Sequence, residues 1–159
     1  MNKVIIVGKA ASGKDHMRRI MESRGFTYGV PYTTRPPREG EVEGVDYYFI
    51  SNEQFKDGIE NNFWYEWANY NNWYYGISHK QFKEDCNLFI MTPKNISCIN
   101  PIDRKECTII YLNISTQIRC NRLSNRNMPG DNIDRRIEAD EQDFADFTDF
   151  DIQINNHKF

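Results

Sequence analysis

The chain has 159 residues, 39% apolar and 14% aromatic, enough for one buried core, so it reads as a single globular domain and not as a disordered segment. A net charge of −3 gives no general attraction for a nucleic-acid polymer, and no apolar run approaches a membrane span. The polar, charged start is unlike a signal peptide, and Cys86, Cys98, Cys107 and Cys120 lack C-x-x-C pairing, so a cytoplasmic protein with reduced thiols is expected over a disulfide or metal site.

Residues 3–8, KVIIVG, form a short β-branched run without alternation, as in a strand covered on both faces. A helix is predicted over 15–22, before the turn signal of Gly25. Residues 33–38, TTRPPR, cannot be helical, because proline removes donors and restricts its predecessor. A strand is predicted over 45–50, and the next helix begins with Ser51 or Asn52 as its cap. Residues 63–67 and 73–78 are two aromatic strands joined by an Asn-rich turn. Buried-type strands follow over 88–92 and 107–114, separated by a helical stretch near 94–99. A helix over 116–126, a break at Asn127-Met128-Pro129-Gly130, a helix over 132–144 and a strand over 150–155 complete the chain. Strands alternating with helices imply an α/β fold with a mainly parallel sheet, and residues 30–78 interrupt that rhythm as a β-rich insertion.

Two stretches carry chemistry. VIIVGKAASGKDH, residues 4–16, fits the phosphate-loop pattern G-x-x-x-x-G-K-[ST] except at its last position. Small residues between Gly8 and Gly13 let backbone N–H groups turn toward phosphate oxygens, and Lys14 supplies a point charge. The other reading is an ordinary Gly-rich turn with a surface lysine. Asp15 stands where a hydroxyl is expected. A carboxylate is a stronger Mg²⁺ ligand, yet it sets negative charge near a polyanion, and it also suits the first turn of any helix. In the second stretch Arg35 and Arg38 lie three apart on a proline-stiffened segment, as an anion clamp or as a solvated basic turn.

TTRPPREGEVEGVDYYFIS, from Thr33, resembles the acceptor-binding segment of guanylate kinases, TTR-x-P-R-x-G-E-x-x-G-x-D-Y-x-F. The resemblance continues in family order through Phe63-Trp64-Tyr65-Glu66-Trp67-Ala68, Tyr74-Tyr75-Gly76, Arg122-Leu123-Ser124-Asn125-Arg126, Ile133-Asp134-Arg135-Arg136-Ile137 and the closing Asp151-Ile152-Gln153-Ile154-Asn155-Asn156. It implies a P-loop NTPase core over 1–30 and 80–159, a nucleoside-monophosphate-binding insertion over about 31–79, and a helical lid over about 120–136. The implied activity is ATP-dependent transfer of the γ-phosphoryl group to GMP or dGMP, with Mg²⁺ and no nucleic-acid or membrane partner.

By similarity, Arg35, Arg38, Tyr47 and Tyr75 hold the acceptor phosphate, Glu66 faces the guanine N1–H and amine, and Ser78 and Thr92 belong to the same site. Gly8, Ala10, Ala11, Ser12, Gly13, Lys14, Asp15, His16, Arg122 and Asn155 are carried over to ATP, with Asp15 as the metal ligand. Lys14, Arg122, Arg126 and Arg136 would spread over the transferring phosphoryl group, and Pro129-Gly130 would hinge the lid.

The departures are equally specific. Asp15 replaces the loop hydroxyl, Ala11 a loop glycine, Pro31 a serine before the T-T-R block, and Ile77 a small hydroxyl residue. The family's D-x-D is here Ile90-Met91-Thr92, so a carboxylate lost at Thr92 is regained at Asp15. The chain stops at Phe159, where the family adds a last helix, which suggests an abbreviated, divergent member of the kind a compact phage genome carries. Two other functions remain on this reading: a non-catalytic module binding a nucleotide or phosphopeptide, and a kinase for another nucleoside or deoxynucleoside monophosphate.

Overall fold

The computed structural model describes residues 2–126 and 132–159, which divide into two compact units, Met1–Gly25 with Ile90–Phe159, and Phe26–Phe89. The expected break and hinge at Asn127, Met128, Pro129 and Gly130 lie outside the described residues.

The first unit is built on the parallel strands β1 (Lys3–Gly8), β7 (Cys107–Leu112) and β8 (Ile152–Ile154), in the order β1-β7-β8. The short strand β6 (Leu88–Ile90) falls at the division of the chain into units. β1 runs parallel to β7 in continuous register from Lys3↔Cys107 to Gly8↔Leu112, and β7 parallel to β8. Ile5, Ile6, Val7, Ile109 and Leu112 are fully buried, the reason their run does not alternate. Helices α1 (Lys14–Glu22), α3 (Pro93–Ser97), α4 (Pro101–Arg104), α5 (Thr116–Arg126) and α6 (Ile133–Phe144) complete the unit. Tyr111 of β7 stacks on Phe144 of α6 at 5.5 Å and meets Phe147 and Phe150 edge-on or tilted.

The second unit carries the other sheet, order β3-β2-β5-β4, from β2 (Tyr32–Thr33), β3 (Tyr48–Phe49), β4 (Trp64–Tyr70) and β5 (Trp73–Ser78). β2 pairs parallel with β3 and antiparallel with β5, while β4 and β5 form a hairpin. Helix α2 (Asn52–Glu60) packs Phe55 flat against Trp64 at 4.2 Å, and the Trp64 indole donates to the Phe55 carbonyl. A Cβ on Gly58 would stand 2.6 Å from that indole, so only glycine fits there.

Several boundaries differ from the sequence expectation. The strand expected over 45–50 shrinks to Tyr48–Phe49, because the Val45 and Asp46 N–H groups turn back to the Val42 carbonyl and the Asp46 carboxylate accepts from the Val42 N–H. The hairpin strand expected to stop at 67 runs on to Tyr70. Asn71 and Asn72, with φ of 50° and 66°, make a tight turn that keeps the Tyr70↔Trp73 pair in register. The strand over 88–92 ends at Ile90, since the Thr92 hydroxyl accepts from Asn95 N–H and caps α3. Likewise the strands over 107–114 and 150–155 contract to β7 and β8. α4 and a π-helical turn at Gln81–Asp85 went unread in the sequence, being one turn long. All four cysteines are free, and burial raises the thiol pKa of Cys86 and Cys107. Among the described residues no helix is long and apolar enough to cross a membrane.

Candidate functional site

In the first unit, β1 enters a loop that reverses through two left-handed residues, Ala11 (φ 60°) and Gly13 (φ 99°), before α1 begins at Lys14. Gly8 is required at the loop entrance because a Cβ there would collide with the Ser12 side chain. Ser12 is fully buried, and its hydroxyl has no hydrogen-bond partner among the described residues. A buried hydroxyl in that state is suited to a polar ligand in the loop.

Lys14 curls back over this loop, its Nζ donating to the carbonyls of Gly8 at 2.8 Å and Lys9 at 3.1 Å. Desolvation lowers its pKa from 10.5 to about 8, with Asp140 and Asp15 opposing the shift and Arg126 and Arg119 adding to it. Asp15 is largely exposed at the first turn of α1, its nearest cation being the Arg18 Nε at 3.6 Å. His16 meets the chain end, its Nε2 within 2.8 Å of the Phe159 carbonyl oxygen. The Phe159 ring covers Gly13, 3.0 Å from where a Cβ would stand.

Arg122 of α5 reaches the same loop, donating to the Ala11 carbonyl at 2.9 Å and the His157 carbonyl at 3.3 Å. Arg126, one turn on, is exposed, yet its charge still bears on Lys14. Arg136 is half-buried on α6. Asn155 follows β8 and accepts from the Gln153 amide at 2.9 Å. Thr92 belongs to this unit as the cap of α3, so the position where the resemblance lacks an acid is a helix cap.

In the second unit, Thr33 and Thr34 tie the segment before the prolines to β5. Thr33 Oγ1 donates to the Tyr74 carbonyl at 3.0 Å and Thr34 Oγ1 accepts from the Tyr74 N–H at 2.9 Å. This fixes Arg35, which is buried, with its guanidinium gripped by Glu41 through two contacts of 3.0 and 2.7 Å. Burial alone would lower the Arg35 pKa, but the hydrogen bonds and charge of Glu41, helped by Tyr75, raise it. Tyr47 lies under the guanidinium at 5.3 Å and edge-on to Tyr75 at 6.1 Å, so Arg35, Tyr47 and Tyr75 form one cluster. Arg38 is exposed and adds its backbone N–H to Glu41 at 2.8 Å.

Alternation along β4 turns Trp64, Glu66 and Ala68 inward and Trp67 outward, so Glu66 is buried at 6% exposure, beside Trp64 but on the face opposite Trp67. Ile77, opposite Glu66 across the hairpin, is core. The Ser78 hydroxyl is engaged with Gln81, donating to its side-chain oxygen at 3.0 Å, and Pro31 contributes its carbonyl to the Tyr48 N–H.

Residues 1–159, the whole chain, match the family model described as Guanylate kinase. The chain belongs to the guanylate kinase family. Among guanylate kinases it is 42% identical over 84 residues to one from Aster yellows witches'-broom phytoplasma (strain AYWB), an alignment covering 51% of this chain and 40% of the relative. To the guanylate kinase of Wolinella succinogenes it is 43% identical over 77 residues, 47% of this chain and 36% of that one. The chain thus matches well under half the length of these relatives. The crystal structure of guanylate kinase from Anaplasma phagocytophilum superposes with a TM-score of 0.72 over 98% of this chain and 77% of that one, at 22% identity, a likeness of fold.

Sequence reasoning overlooked three charged residues of this guanylate kinase family member that bear on the loop and the clamp: Glu41, Arg119 and Asp140. Glu41 lies in the T-T-R segment six residues after Arg35, and an acid that close to a buried arginine was the available signal. Arg119 precedes buried Leu123 by four residues on α5, and an arginine in an apolar stripe was the available signal. Asp140 gave no local signal, because its partners lie 21 and 130 residues away.

Proposed function

We propose that the chain is an ATP-dependent nucleoside monophosphate kinase, NMP + ATP → NDP + ADP, with GMP or dGMP as acceptor. The observation that carries this reading is Lys14, folded onto the Gly8 and Lys9 carbonyls inside a loop with left-handed Ala11 and Gly13. A module that only bound a nucleotide or phosphopeptide would have no use for a donor loop so arranged, and Arg122 beside it strengthens the kinase reading.

In this mechanism an oxygen of the acceptor phosphate attacks the γ-phosphorus as the bond to the β–γ bridging oxygen breaks. Charge spreads over the transferring oxygens, so catalysis is positioning plus cation placement. Lys14, Arg122, Arg126 and Arg136 supply the cations, and the loop N–H groups with the Ser12 hydroxyl orient the donor phosphates. Arg35, Arg38, Tyr47 and Tyr75 hold the acceptor phosphate, whose charge competes with Glu41 for Arg35. Glu66, held in the core of its sheet, accepts from the two donors on the guanine edge.

Mg²⁺ bound with ATP would neutralise phosphate charge during transfer. Asp15 fits as its protein ligand: its carboxylate is exposed at the start of α1, a hard oxygen donor directly after Lys14. Among the described residues no three His, Cys, Asp or Glu gather as a cage, which suits an ion held by one carboxylate, phosphate oxygens and water.

The test is ADP release from ATP and Mg²⁺ across ribo- and deoxynucleoside monophosphates, with turnover expected for GMP or dGMP. No turnover together with tight GMP or phosphopeptide binding would favour the binding module. Turnover with a pyrimidine acceptor alone would overturn the role given to Glu66.

A further inference from the structure

Arg119 is the largest side chain among the fully buried ones, and the kinase reading gives it no task. Its Nε donates to the Ile114 carbonyl at 3.2 Å and its Nη2 to the Thr116 hydroxyl at 3.2 Å. Its charge is met by two successive carboxylates of α6, Asp140 at 3.3 Å and Glu141 at 3.5 Å. Those carboxylates in turn grip two successive residues of the phosphate loop. Asp140 Oδ2 accepts from the Ala10 N–H at 2.9 Å, and Glu141 Oε1 from the Lys9 ammonium at 2.6 Å.

Ala10 directly precedes Ala11, whose φ of 60° a non-glycine residue rarely adopts. Such a conformation persists only where its surroundings hold it. An aspartate used for that purpose carries a liability, because its charge lies beside the place where polyphosphate binds. Arg119, itself buried, neutralises it across 3.3 Å, where water screens the part-buried pair less than it would a surface pair. Arg136 sits one turn before Asp140, so the same tie sets the register of the helix that carries it.

We infer that Arg119 and Asp140 are a positioning pair for the donor nucleotide, in which Asp140 holds the phosphate loop by the Ala10 amide and Arg119 cancels the charge that would repel ATP. The inference rests on the kinase reading for its ligand. It predicts a selective effect: weaker ATP binding with GMP binding untouched, which a general loss of stability would not give.

Single substitutions strand a buried charge and risk unfolding, so the informative variant is Arg119→Met with Asp140→Ala, which removes both charges together. Calorimetric titration is expected to give a folded double variant whose ATP Kd rises about tenfold or more, while its GMP Kd stays within about twofold of wild type. A folded double variant with wild-type ATP affinity would overturn the inference and leave the kinase reading standing. A wild-type chain that binds GMP and no ATP would overturn both. Hydrogen exchange by NMR on the nucleotide-free wild type supplies a check that needs no variant: the Ala10 amide is expected to exchange slowly, and fast exchange there sinks the proposal.

Discussion

Lys14 ties the fold to the proposed function through its pKa. Its ammonium is held by two carbonyls, yet desolvation brings its pKa down to about 8. Since this lies below the unfolded value of 10.5, the charged lysine weakens the ligand-free fold most below about pH 8, and that penalty fades as pH rises toward 10.5. On the kinase reading ATP would favour the charged form, so its binding would take up a proton on the alkaline side. ATP affinity is therefore expected to hold below about pH 7 and to fall by up to about tenfold per unit above about pH 8, and Lys14→Met should abolish that limb in a titration series. Asp15 is tested by its metal dependence. Mg²⁺-supported turnover should collapse in Asp15→Ala and partly survive in Asp15→Ser, and equal rates in wild type and Asp15→Ala would remove Asp15 from the metal site.

Elements were readable in the sequence where local pattern and tertiary packing agree. The helix over 116–126 matches α5 residue for residue, and Ser51 caps α2 with a full capping box, its hydroxyl accepting from Gln54 N–H and Gln54 reaching back to Ser51 N–H. The strand over 45–50 is shortened because the Val45 and Asp46 N–H groups turn back to the Val42 carbonyl, and the Asp46 carboxylate closes that turn on the Val42 N–H. Thr92 has a clear element-level role, so Thr92→Ala should lower stability by about 1 kcal/mol in urea unfolding. Thr92→Asp should leave it near wild type, because aspartate also caps helices and would return an acid to the position where the family motif has one. A large loss in Thr92→Asp would show that the carboxylate is not tolerated at the cap.

At the scale of the whole molecule, the two units carry separate halves of the proposed chemistry, each on its own sheet. Ligands should register separately in hydrogen exchange measured by mass spectrometry. An ATP analogue is expected to slow exchange over residues 8–16 and in α5, and GMP to slow it over residues 33–48 and in the β4–β5 hairpin. Protection of the same segments by both ligands would contradict the assignment of donor and acceptor residues. The phosphate-loop pattern, the T-T-R block and the longer strands and helices were legible, because each is written in contiguous residues, whereas β2, α4 and the turn at Gln81–Asp85 are too short to leave a pattern.

The sequence by itself determined the family, the α/β class and the identity of the residues proposed for donor and acceptor. Local patterns suffice for these, since turn residues, apolar runs and motif spacing act within one or two turns of chain. Only the tertiary structure decided that Arg35 is held by Glu41 with Tyr47 beneath it, that the Ser12 hydroxyl is buried without a partner among the described residues, and that Thr92 is a cap. It alone joined Arg119 and Asp140 to the Ala10 amide. Those contacts span up to 130 residues of sequence, and the burial that gives them their strength exists only once the sheet and its helices have excluded water.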